Sequence, residues 1–130
     1  DEAFRRMVFN LASRNQDDHV KNFAFLMGPT GRWELAPAFD VIWAYGGPWS
    51  RTHQMTAAGK DDQFTREDLR GIAERFDVAH SGNEIIDAVD SALDTWPEEA
   101  LAADLESKWV KQIGDLFRRF GRGSRSGGRR

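Results

Sequence analysis

The sequence predicts an α+β domain that is mostly α, with one small β-hairpin between two polar loops. Three observations support this prediction. Apolar residues recur with helical spacing at the start of the chain and again throughout its second half. Between these regions, two short β-prone runs flank the turn sequence Gly28-Pro29-Thr30-Gly31. The 130 residues, of which 40% are hydrophobic, are enough for one compact domain.

The first half is predicted to contain one helix and the hairpin. The helix ends near Ser13, and its apolar stripe consists of Phe4, Met7, Val8 and Leu11. A polar loop over residues 14–22 has only one apolar member and leads into strands within 23–27 and 32–35. A second loop over 36–40 follows the hairpin, and we expect residues 41–50 to be irregular because a Gly-Gly-Pro break interrupts their aromatic residues.

The second half is predicted to be helical throughout. Thr65 and Asp68 have the spacing of a capping box for a helix that ends near Phe76, and Ser81 with Glu84 repeats that spacing for a second helix. Pro97 ends this second helix or begins the third. The stripe of the third helix is Leu101, Leu105, Trp109, Ile113, Leu116 and Phe120.

We predict a single domain over residues 1–120, divided into a part over 1–64 and a helical part over 65–120. Residues 121–130 lack apolar side chains and are predicted to be a disordered basic tail. The tail region is rich in arginine: Arg118, Arg119, Arg122, Arg125, Arg129 and Arg130. Removing these six charges from the net −3 leaves −9 on the rest, so we expect no direct contact with nucleic acid.

Composition also narrows the class of protein. The chain has no cysteine, which excludes disulfides, and it has no apolar run long enough to span a membrane. It shows no signal peptide, so a cytoplasmic location is expected. It opens on Asp-Glu-Ala-Phe, with neither an initiator methionine nor a capping residue ahead of the first helix. We therefore expect a fragment of a longer protein.

Three polar residues are predicted to meet at the mouth of the hairpin. Asp17 and Asn22 lie in the loop before the hairpin, and Asp40 lies in the loop after it. Because paired strands return the chain to its starting point, Asp40 is expected beside the other two. Oxygen ligands of this kind suit Mg²⁺, which takes one or two protein carboxylates and completes its shell with water and phosphate oxygens.

The same spacing occurs in protein kinases. Their catalytic loop has an Asp that accepts the hydroxyl proton, then four residues, then a metal-binding Asn, and a second metal-binding Asp follows in a hairpin-linked loop. Asp17, Asn22 and Asp40 fit these three positions. The spacing therefore indicates phosphoryl transfer from ATP with Mg²⁺.

The amino-acid sequences of two segments also resemble those of a known protein family. The run Asn-Gln-Asp-Asp-His-Val-Lys-Asn-Phe over 15–23 and the run Trp-Glu-Leu-Ala-Pro-Ala-Phe-Asp-Val over 33–41 resemble the C-terminal domain of HipA-like serine/threonine kinases, and the similarity extends to about Leu69. The resemblance implies a kinase C-lobe fold, Asp17 as catalytic base, Asn22 and Asp40 as metal ligands, and ATP and Mg²⁺ as cofactors. It also implies a protein substrate, in some members an aminoacyl-tRNA synthetase, and a toxin role with a helix-turn-helix antitoxin.

Other features leave alternatives open. Lys21 could contact a nucleotide phosphate or form a surface ion pair, and Asp18 is expected to be structural or solvent-facing. The chain contains no Gly-rich phosphate loop and no Val-Ala-Ile-Lys strand, so an N-terminal lobe is expected to supply most nucleotide contacts. One alternative function is a phosphohydrolase or nuclease in which Asp17, Asp18 and Asp40 hold metal. Another is a helical module that binds a partner without catalysis.

Overall fold

The computed structural model describes residues 1–121 and confirms the predicted fold class, a mostly helical domain with one antiparallel hairpin. Apart from Gly121, the tail predicted to be disordered lies outside the described residues. Two short 3₁₀ turns, Val20–Asn22 and Ala79–Gly82, accompany the main elements. In chain order these are α1 (Glu2–Ser13), β1 (Phe25–Met27), β2 (Trp33–Leu35), α2 (Arg66–Arg75), α3 (Asn83–Asp94), α4 (Trp96–Ala102) and α5 (Ser107–Gly114).

Helix α1 is central to the core because it packs along α3. Of the predicted stripe, Phe4, Val8 and Leu11 are buried and Met7 is partly buried, and Ala12 is buried as well. A single hydrophobic cluster extends from Phe4 to Phe120 and includes residues of α1, α2 and α3. The division at residue 64 stays a prediction. Within residues 1–121, no helix has the length and apolarity that crossing a lipid bilayer requires.

The hairpin forms in the predicted place. Phe25 pairs with Leu35 and Met27 with Trp33, and the Gly28 amide donates to the Arg32 carbonyl oxygen at 2.8 Å across the turn. Beyond the strands, the Ala36 amide donates to the Ala24 carbonyl oxygen at 2.8 Å. The chain segments before and after the hairpin therefore lie side by side, as predicted for the two polar loops.

The capping box of α2 is confirmed, and the one predicted for α3 is wrong. Thr65 accepts from the Asp68 amide, while the Asp68 carboxylate accepts from the Thr65 amide. Helix α3 instead begins after Gly82, which has a φ of 68° and provides no side-chain cap. Ser81 also has a positive φ of 51°, so the chain turns between Ser81 and the helix and the expected reciprocal pair does not form.

The prediction of one long third helix is also wrong. Asp104 adopts a left-handed conformation with a φ of 61°, and this breaks the apolar stripe into α4 and α5. The Leu105 amide donates back to the Ala100 carbonyl oxygen at 3.0 Å, which closes the end of α4. Pro97 lies in the first turn of α4, where its missing amide hydrogen costs no helical bond. The helical period continues in the sequence, but the backbone does not follow it.

We expect Gly82→Ala to lower the free energy of unfolding by about 3 kcal/mol, because strain and close packing act together. A Cβ at Gly82 would lie 2.5 Å from Cε1 of Phe4 and 2.9 Å from Cβ of Ala73. Gly59→Ala is the matched control, since Gly59 has a φ of 73° with open space around its Cβ direction, and it should cost about 1 kcal/mol. Urea denaturation measures both, and equal losses would contradict the packing argument.

Candidate functional site

The loop that follows α1 is held against residues 44–54 by backbone hydrogen bonds. The Gln16 amide donates to the Ala44 carbonyl oxygen, and the Ala44 amide donates to the Arg14 carbonyl oxygen, each at 3.1 Å. The Gln54 amide donates to the Gln16 carbonyl oxygen at 3.1 Å. The fully buried Gln16 side chain adds a bond from Nε2 to the Arg51 carbonyl oxygen at 3.1 Å. The backbone on the N-terminal side of Asp17 is therefore fixed.

A buried amide brings Asp40 to this loop. The Asn15 side chain is 2% exposed, and its Nδ2 donates to Asn10 Oδ1 and to the Asp40 carbonyl oxygen, both at 3.2 Å. Asp40 itself has a positive φ of 54°, a conformation that Asp tolerates better than most residues. The chain therefore turns sharply at Asp40 while Asn15 holds its carbonyl group.

Asn22 and Asp40 line the same cavity, which has a volume of about 330 Å³. Its other lining residues come from α1, α3 and both polar loops, and they include Asn15, Asp18 and Phe39. The Asn22 Nδ2 atom is buried and has no hydrogen-bond partner within the described residues. Because a buried unpaired donor costs about 1–3 kcal/mol, this atom is a natural contact for a ligand.

Asp18 lines this cavity too; of the two expectations for it, structural or solvent-facing, the solvent-facing one is wrong. Its side chain is buried, and burial raises the pKa of its carboxyl group, while a hydrogen bond with the Asn10 side chain acts in the opposite direction. Asp18 is therefore the acid that shares the cavity with Asn22 and Asp40.

Asp17 lies on a different surface. It is half-buried and lines a depression formed mainly by residues 44–50 and Gln54. The structure therefore brings Asn22 and Asp40 to one cavity and gives Asp17 another surface of the same loop. Lys21 is exposed in the 3₁₀ turn Val20–Asn22. It lines neither the cavity of Asn22 and Asp40 nor the depression of Asp17. The roles of all four residues stay predictions.

The geometry fits a metal that needs few protein ligands. Within residues 1–121, no group of three or more His, Asp or Glu side chains is arranged to hold a metal ion, so Asp17, Asp18 and Asp40 are not assembled as one set. Mg²⁺ is commonly held by one or two side chains with water and phosphate oxygens. Asn22 and Asp40 line one cavity, and their side chains carry oxygen atoms of the type that such a site would use.

Comparison with protein-family models gives a match to the HipA-like C-terminal domain over residues 1–96. This chain belongs to that family. HipA-like proteins are in general kinase-related, and the match covers both polar loops and the hairpin. No curated protein and no solved structure gave a match.

In this HipA-like domain, a partly buried charged cluster joins the end of α1 to the C-terminal segment. Arg118 Nη1 donates to the Leu11 carbonyl oxygen at 2.9 Å and to His53 Nε2 at 2.8 Å, and Arg118 also forms an ion pair with Asp62. The Arg14 guanidinium lies 3.8 Å from the same Asp62 carboxylate and stacks over the Tyr45 ring. The cluster fixes the helix end from which the Asp17 loop starts.

These partners have no local signal in the sequence. His53 and Arg118 are 65 residues apart, and neither belongs to a motif. The buried amides of Asn10, Asn15 and Gln16 were also missed, although a polar run directly after an apolar helix is one place to expect them. Their burial follows from tertiary contacts that sequence spacing does not record.

We expect stability to fall on acidification below pH 6.5, because burial and then the nearby Arg118 charge lower the pKa of His53 to about 4. Between these values the unfolded chain binds a proton that the folded protein excludes, so the free energy of unfolding decreases as pH falls from 6.5 to 4. The loss is about 2 kcal/mol after discounting for solvent access at the cluster.

Urea denaturation at pH 7 and pH 4.5 tests this, with His53→Gln as the variant in which the difference shrinks. His80→Gln is the comparison, since His80 is an exposed histidine outside the cluster, and it should change the pH dependence less than His53→Gln does. A wild-type pH dependence that persists in full in His53→Gln would contradict the assignment.

Proposed function

We propose that this chain is the C-terminal catalytic lobe of an ATP- and Mg²⁺-dependent serine/threonine protein kinase, a HipA-like toxin of a toxin-antitoxin pair. The observation that carries the proposal is that Asn22 and Asp40, eighteen positions apart, line one cavity beside the loop that contains Asp17. The family match supports the same class of reaction. An N-terminal lobe supplies the Gly-rich loop and the lysine that kinases use to hold ATP.

Each residue has a distinct task in the proposed reaction. Asp17 orients the serine hydroxyl and accepts its proton as the oxygen attacks the γ-phosphorus and the bond to the β-phosphate oxygen breaks. Asn22 and Asp40 hold the metal, and Lys21, exposed in the adjacent turn, contacts a nucleotide phosphate. Bound Mg²⁺ supplies charge neutralisation for the phosphate groups.

The cavity lined by Asn22 and Asp40 and the depression lined by Asp17 have different proposed roles. In this proposal the metal and most of the nucleotide lie at the cavity lined by Asn22 and Asp40, and the γ-phosphate extends to the acceptor hydroxyl at Asp17, since the attacking oxygen must lie beside the γ-phosphorus. A phosphohydrolase or nuclease is disfavoured because its three carboxylates are not grouped within residues 1–121.

The proposed partners follow from the family. The substrate is a protein, with aminoacyl-tRNA synthetases as the first candidates, and a helix-turn-helix antitoxin and the N-terminal lobe bind the domain in the cytoplasm. No direct contact with nucleic acid is proposed, because the charge outside the arginine-rich end is negative.

Asp17→Asn in the full-length protein should reduce phosphoryl transfer at least about 100-fold and leave ATP binding intact, because only the proton acceptor is removed. Asp61→Asn is the matched comparison, since Asp61 is an exposed acid outside both surfaces, and it should retain the transfer. Radiolabelled phosphate transfer and calorimetric ATP binding measure the two effects. Full turnover by Asp17→Asn would move the base away from Asp17.

Asp40→Asn should raise the Mg²⁺ concentration needed for half-maximal transfer by at least about tenfold, since one charged ligand becomes neutral. Asp61→Asn is the control, because Asp61 is an exposed loop acid outside both surfaces. Magnesium titration at saturating ATP gives the comparison. Identical titrations for Asp40→Asn and the wild type would remove Asp40 from the proposed metal site.

A further inference from the structure

Trp49 is 83% exposed, the highest value among the large apolar side chains of residues 1–121. Exposed apolar residues are common, but a tryptophan offers a large contact area with little rotational freedom to lose on binding. Its position in the fold is therefore of interest, and three observations relate it to Asp17.

The first observation is that Trp49 lies in a closed turn. The Gly47 amide donates to Ser50 Oγ at 3.1 Å, and the Ser50 amide donates to the Gly47 carbonyl oxygen at 3.2 Å. The Gly46 amide donates to the Ser50 carbonyl oxygen at 3.2 Å, and Gly46 has a φ of 88°, which favours glycine. The turn thus holds the exposed indole without burying it.

The second observation is a direct connection between this turn and the Asp17 loop. The Gln54 side chain donates from Nε2 to the Trp49 carbonyl oxygen at 2.9 Å. The backbone amide of the same residue donates to the Gln16 carbonyl oxygen at 3.1 Å. One residue therefore bonds both to Trp49 and to the neighbour of Asp17, which fixes the two relative to each other.

The third observation is that Trp49 and Asp17 line one surface depression of about 420 Å³. Its other lining residues are small or apolar in the main, namely Ala44, Gly47, Pro48, Ser50 and Gln54. Asp17 supplies the only charge in this lining. The surface therefore combines one proton acceptor with an adjacent apolar wall.

We propose that Trp49 determines substrate specificity by contacting an apolar side chain next to the serine that is phosphorylated. This inference rests on the proposed function, in which the nucleotide and metal occupy the cavity lined by Asn22 and Asp40. The depression beside Asp17 is then left for the acceptor segment of the protein substrate. With the serine hydroxyl at Asp17, a flanking side chain reaches the wall formed by Trp49 and Pro48.

Synthetic serine peptides test the inference in the full-length protein. Each position flanking the serine is varied through Leu, Phe, Ala, Lys and Asp, and kcat/KM is measured for each peptide with ATP and Mg²⁺. The wild type should prefer Leu or Phe over Ala at one flanking position by about tenfold. Trp49→Ala should remove that preference, and Trp49→Phe should retain most of it because an aromatic wall remains.

Trp109→Ala is the control, since Trp109 is an exposed tryptophan of α5 outside the depression. It should keep the wild-type ratio between Leu and Ala peptides. The inference is overturned if the wild type phosphorylates peptides without an apolar preference, if it prefers Lys, or if the preference survives in Trp49→Ala. Failure of the wild type to phosphorylate any peptide or protein would instead overturn the proposed function, and this inference with it.

Discussion

The site depends on two consecutive buried amides, Asn15 and Gln16. Asn15 holds the carbonyl group of Asp40, and Gln16 bonds to Ala44, Arg51 and Gln54 through its backbone and side chain. Little water competes for these groups, so losing a partner would leave a buried polar atom unpaired at a cost of about 1–3 kcal/mol. This penalty makes one arrangement of the two polar loops strongly preferred, and the neighbouring Asp17 has its position from that arrangement.

The elements with a strong local pattern were predictable. The stripe of α1, the hairpin turn and the Thr65 capping box each depend on residues close in sequence, and all three form as expected. The breaks at Ser81 and Asp104 were not predictable, because neither residue is a glycine and the sequence does not mark these positions for a positive φ. A helical period therefore indicates where a helix is possible and leaves its ends undetermined.

The candidate site was predictable in its chemistry and only partly in its geometry. Return of the chain through the hairpin places Asn22 and Asp40 at one cavity, as strand pairing requires. Which of two adjacent carboxylates faces that cavity depends on the backbone direction after Gln16, and the sequence Asp17-Asp18 does not reveal it. The partly buried cluster of Arg118, His53 and Asp62 depends on contacts across the whole chain and had no sequence pattern.

The small size of the hairpin has a consequence for motion. Each strand has three residues, both strands are edge strands, and the side chains of β1 are exposed. A hairpin of this length is not stable by itself in water, so its order comes from the segments at its base. Local opening of the strands would loosen the link between Asn22 and Asp40 without unfolding the helical core. The segments at the base of the hairpin therefore also set how long the cavity keeps its shape.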